Sequence, residues 1–252
     1  MRAVRAAIGV VGELCLTAGA LVLLFVVWQL GYVAVVDGNK QAGVVSALEQ
    51  DFGGPGRGVL QPSPTGASPS AASPAGALPA GAAPLDASEL KNGAVFGIVR
   101  IPRLGGATWA KPVFEGVGLD VLAKGLGHYP TTQLPGEVGN VAIAGHRAGH
   151  GNPLIDIDAI QAGDVMVIET REAYFVYRAV RHEIVNPTRV DVLDPVPEQP
   201  GVRPTERWFT LTSCDPRYGS TNRYIVFAVF EQKIPHDQGL PADLLADPAL
   251  RA

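Results

Sequence analysis

The 252-residue chain carries 20 Lys and Arg against 24 Asp and Glu, and a formal charge of −4 excludes a strongly basic nucleic-acid or membrane-surface binder. The cations are scattered rather than clustered, so no nucleic-acid partner is expected. Apolar residues make up 47%, as in an ordinary globular protein, but many of the 30 Gly and 21 Pro crowd into one segment, which points to modules joined by a linker.

Residues 1–13 contain Arg2 and Arg5 and read as a short cytoplasmic N-terminus. The stretch 14–36, LCLTAGALVLLFVVWQLGYVAVV, has no charge. As a helix it would extend about 35 Å, enough to cross a hydrocarbon core. Trp28 and Tyr32 lie where amphipathic rings favour the membrane interface, and Asp37, Lys40, Glu49 and Asp51 follow. The positive-inside rule then places the bulk of the chain outside the cell membrane as a single-pass protein. A cleaved signal peptide is the competing reading. Its apolar core would be shorter, about 7–15 residues, and VAVVDG is a mediocre cleavage site. Glu13 borders the span and can lie at the interface.

Residues 37–87 form a juxtamembrane segment and linker. A short helix is expected over 39–52. In 53–84, 26 of 32 residues are Gly, Pro, Ala or Ser and Arg57 is the only charge. Such a segment cannot bury enough apolar surface to offset its ordering entropy, so it reads as a disordered tether that lets a domain work away from the bilayer.

The folded part is expected over 88–236, with 237–252 as a peripheral tail bearing at most one short helix. Runs such as FGIVRIP, NVAIAGH, DVMVIET and RWFTLTSC are rich in Val, Ile and aromatic residues, and LPGEVGN, QAGD and DPRYGSTN supply turns between them. DVMVIETREAYFVYRAV reads as a hairpin. Helical pattern is brief, in LDVLAKGLG and PLIDIDAI. Seven or eight short strands therefore predict a single mostly-β barrel or sandwich with small helices.

Cys15 lies in the apolar span and Cys214 beyond it, so the two cannot pair. No CxxC or HExxH spacing occurs, and the nearest pair, His146 and His150 in GHRAGH, is set among glycines that favour a loop. No metal or other cofactor is expected. A buried structural thiol and a nucleophile remain for Cys214. It stands where strand pattern stops and Asp215-Pro216 begins. A nucleophile needs a histidine or a cation nearby. His146 likewise ends a strand run, with His150 as the fallback; His128, His182 and His236 are expected to pack or decorate. Arg223 opens the run RYIVFAVF nine residues after Cys214 and could donate to a developing oxyanion.

TLTSC followed by Arg223, with the histidine of VAIAGHR, resembles the sortase signature TLxTC, its following-strand arginine and its histidine loop. The likeness spans about 94–232. With the N-terminal anchor and the Pro/Ala-rich linker, it is most similar to the class E sortases of high-GC Gram-positive bacteria. The resemblance implies an eight-stranded β-barrel and a cysteine transpeptidase in which His146, Cys214 and Arg223 are catalytic. It implies cleavage of an LAxTG- or LPxTG-like sorting motif between Thr and Gly on secreted proteins, through a thioester. The acceptor would be an amine of a cell-wall precursor such as lipid II. Ser213 replaces the family's threonine and is expected to alter substrate packing. The alternatives are a pilin-polymerising sortase and a catalytically silent, membrane-tethered binding module.

Overall fold

The computed structural model describes residues 2–53 and 85–246; apart from Gly53, the expected linker lies outside the described residues. The β-branched and aromatic runs form eight strands: β1 Val95–Arg100, β2 Ala110–Glu115, β3 Leu126–His128, β4 Gly139–Ala144, β5 Val165–Thr170, β6 Ala173–Val185, β7 Arg207–Asp215 and β8 Asn222–Pro235. They close into a barrel in the order β1-β2-β3-β4-β7-β8-β6-β5, which leaves no open sheet edge. Neighbours are antiparallel except β2–β3 and β4–β7. The expected hairpin is β5–β6, turned at Arg171 and Glu172.

Alternation along the strands sorts side chains to two faces. Val141 and Ile143 of β4, Phe209 and Leu211 of β7, and Tyr224, Val226 and Ala228 of β8 fill the barrel interior. Their neighbours point outward. Ile225 and Phe227 meet Val185, Val192 and Trp208 beneath the β6–β7 connection. The helical segments inside the barrel sequence are small: α3 Leu119–Leu122 and 3-10 turns at Pro102–Leu104, Gly106–Thr108, Ile157–Ala159 and Val190–Leu193.

The N-terminal segment is one long helix, α1 Arg2–Val27, continued through a π-helical turn Trp28–Tyr32 into α2 Val33–Asp51. Within it Ile8–Val27 is long and apolar enough to cross a membrane, and no part of it is covered by the rest of the molecule. The short helix expected over 39–52 exists as the end of this continuous helix. It does not stand apart from the barrel. Val45 and Leu48 pack on Ile98 of β1, flanked by Val44, Phe52 and Ala110. Arg100 of β1 pairs with Glu49 at 2.7 Å and with the buried Glu169 at 2.7 Å. Residues of α2 therefore touch the barrel directly, and residues 53–84 are not all that connects the N-terminal helix to it.

The described part of the tail lies on the outside of the barrel with one short helix. Leu240, with Leu244 and Leu245 of α4 Ala242–Leu245, packs on Val165, Val167 and Ile234, because the outer faces of β5, β6 and β8 there are apolar and need a cover.

Candidate active site

Strand register assembles the site. In the parallel pair β4–β7, Ala144 stands opposite Thr212, and the Gly145 N–H extends the ladder by donating to the Thr212 carbonyl at 3.0 Å. His146 lies two residues beyond Ala144, as Cys214 lies two beyond Thr212. In the antiparallel pair β7–β8, Cys214 stands opposite Arg223. Cys214 and Arg223 thus pair on adjacent strands at one end of the barrel, and His146 opens the loop that leaves β4 at the same end. Cys214 and Arg223 share the outward parity of Thr212 and Ile225.

Cys214 is half-buried and free. The His146 Nε2 is buried and has no hydrogen-bond partner among the described residues. Burial, and then the neighbouring charge of His150, hold the His146 imidazole below its ordinary value. The Arg223 guanidinium uses Nη1 to donate to the Ser220 and Asn222 carbonyls at 3.0 and 2.9 Å, which fixes the fork at the start of β8. A nucleophile, a proton carrier with one unpaired nitrogen and a fixed cation suffice for acyl transfer.

Sequence reasoning missed Arg147. This guanidinium is 4% exposed, pairs with Asp215 at 2.7 Å and with Asp158 at 3.0 Å, and lies over the Tyr224 ring at 5.4 Å. It ties the histidine loop to the residue after Cys214. Its signal was adjacency to His146 in GHR, which spacing alone does not distinguish from a surface arginine. Ser213 lies on the opposite face from Cys214. It is buried, and its hydroxyl donates to the Gly145 carbonyl at 2.9 Å, so it braces the backbone before His146 rather than lining an outer groove.

The other histidines fall elsewhere. His128 is buried between Glu115 at 2.8 Å and the Gln133 carbonyl at 3.0 Å. His182 stacks on Tyr224, and His236 binds the Thr170 carbonyl at 2.6 Å. His150 packs its ring on His146, with centroids 4.7 Å apart. A cavity of about 410 Å³ opens at the other end of the barrel, among Leu134, Phe175, Arg207 and Phe230, and holds no nucleophile.

Cys214 on β7, Arg223 opposite it on β8 and His146 two residues past the end of β4 are the groups that cysteine acyl transfer calls for. Residues 99–231 match the sortase domain family. The chain is 32% identical over 246 residues to sortase SrtE1 of Streptomyces coelicolor, covering 94% of this chain and 60% of that relative's length. Among solved structures, the SrtA sortase from Actinomyces oris is 40% identical with a TM-score of 0.59, over 64% of this chain and 92% of that one. Sortase E1 from Streptomyces coelicolor, solved with a tripeptide in its active site, is 36% identical with a TM-score of 0.55, over 61% and 98%. The chain belongs to the sortase family of cysteine transpeptidases and is similar to its class E members.

Proposed function

We propose that the protein is a membrane-anchored transpeptidase that cleaves an LAxTG- or LPxTG-like motif between Thr and Gly and transfers the acyl group to an amine of a cell-wall precursor. The grouping of His146, Cys214 and Arg223 at one end of the barrel carries this reading. The Cys214 thiolate attacks the threonine carbonyl carbon, and Arg223 donates to the oxyanion. As the C–N bond breaks, His146 imidazolium gives its proton to the departing glycine amine, leaving a thioester on Cys214. The acceptor amine then attacks the thioester and gives a proton to neutral His146. Collapse releases the product and restores the thiolate and imidazolium.

The N-terminal helix would place the barrel on the outer side, following the Arg2 and Arg5 bias. Its docking supports an acceptor at the lipid surface. Asp37, which faces the histidine loop, follows Val27 by only about 15 Å of helix.

Incubating the full chain in detergent with LAxTG and LPxTG peptides and an amine should give an acyl adduct on Cys214, read by mass spectrometry. Absence of the adduct, or its persistence in Cys214→Ala, would overturn the reading. A preference for a peptidyl lysine over a glycine-type amine would move the acceptor to a pilin.

A further inference from the structure

The histidine loop is held from outside the barrel. Between Ala144 and Leu154 the backbone takes left-handed conformations at Gly149, His150, Gly151 and Asn152, with φ of 84°, 50°, 80° and 49°. For His150 and Asn152 this region is uncommon and needs support from the surroundings. Asn152 finds support inside the loop, where its Oδ1 accepts from the Gly149 N–H at 2.6 Å. His150 finds it on α2. Gln41 Nε2 donates to the His150 carbonyl at 2.8 Å, and Asp37 Oδ2 lies 3.9 Å from His150 Nδ1. Gly151 approaches so closely that a Cβ there would sit 3.0 Å from the Gly38 backbone nitrogen.

Gln41 is 2% exposed, although helices rarely bury a glutamine against a loop without a reason. Its Oε1 has no partner among the described residues, so the side chain is kept there by its donor alone. The residue it holds by its backbone carbonyl carries the ring that packs, tilted, against His146. The contact chain runs from α2 through His150 to His146.

We propose that α2 completes the active site: Gln41, seconded by Asp37, is a positioning residue that sets His146 by holding His150. This rests on the transpeptidase reading and extends it from the barrel to the helix that bears the anchor. The catalytic histidine is then built from two parts of the chain more than 100 residues apart, and the barrel without its helix is a less competent enzyme. The loss of one net hydrogen bond at a loop predicts a rate effect of about 3- to 10-fold.

The experiment compares full-length chains in detergent. Gln41→Met keeps the shape of the side chain and removes both its donor and its unpaired acceptor. The expected result is a kcat 3- to 10-fold lower with KM within about twofold, and a melting temperature equal to or above the wild type. Ser46→Ala, on the exposed face of the same helix, should leave kcat unchanged. Independently of turnover, backbone hydrogen exchange over 146–152 should quicken in Gln41→Met and not in Ser46→Ala. Wild-type kcat together with unchanged exchange in Gln41→Met would overturn the positioning role while leaving the transpeptidase intact. Quickened exchange with wild-type kcat would also overturn it, since His150 would then be held without consequence. An inactive wild type counts against the transpeptidase reading alone, and the exchange data still decide whether α2 holds the loop.

Discussion

Two polar rows lie at β4 and β7, one near each end of the barrel, and they are built on opposite rules. Near the start of β4, Asn140 is fully buried and satisfied: its Nδ2 donates to the Val192 and Asp194 carbonyls, and its Oδ1 accepts from Thr210 at 2.9 Å. At the far end, His146 keeps a buried nitrogen without a partner and Cys214 is half-buried. A closed network fixes the β6–β7 connection over the barrel. An open one would leave a proton carrier free to serve a reacting group, as the proposed mechanism requires of His146. On the same two strands, hydrogen-bond completeness separates structure from chemistry.

The largest expected effects break the open row. Arg223→Ala should lower kcat by about 10²–10³ if its guanidinium meets the oxyanion, with thermal stability little changed, measured as turnover of a sorting peptide. His146→Ala should cost about 10²–10⁴, whereas His150→Ala should retain most of the activity; the reverse ranking would transfer the catalytic role to His150.

The closed row should answer in stability instead. Asn140→Ala removes a buried donor and acceptor and strands their partners, so urea denaturation should show a loss of about 1–3 kcal/mol, with kcat per folded molecule unchanged. A selective fall in kcat would erase the contrast between the rows.

Acid should sharpen it. The folded state holds His146 below its ordinary value, through burial and then the charge of His150. The unfolded chain therefore binds the proton first as pH falls below about 6.5, and folded stability drops through that range. Melting temperatures between pH 7 and pH 5 should fall further for the wild type than for His146→Gln. The smallest effect is expected at Ser213. Ser213→Ala loses one bond to the Gly145 carbonyl and should cost no more than about 1.5 kcal/mol of stability.

Some of this was legible one residue at a time. Cys214, His146 and Arg223 could be singled out because each sits where a strand pattern meets turn residues, and the sortase likeness joined them. The buried face of α2 was also written in the chain, as Gln41, Val45 and Leu48 at helical spacing, with Phe52 just past its end. Yet a glutamine in that stripe, and a Gly-rich sequence beyond it, disguised the stripe as a modest juxtamembrane helix. Arg147 was hidden for a related reason, since an arginine's burial depends on carboxylates, Asp158 and Asp215, that spacing does not place beside it.

The sequence by itself determined the apolar span, the strand-and-turn rhythm and the chemical types at the site, because those depend on periodicity and local turn chemistry. The tertiary structure alone decided which residues meet. The parallel register of β4 and β7 sets Ala144 against Thr212, 68 positions apart, and the docking of α2 sets Gln41 against His150, 109 positions away. Such pairings follow from complementary surfaces closing on one another, a property that no local stretch contains.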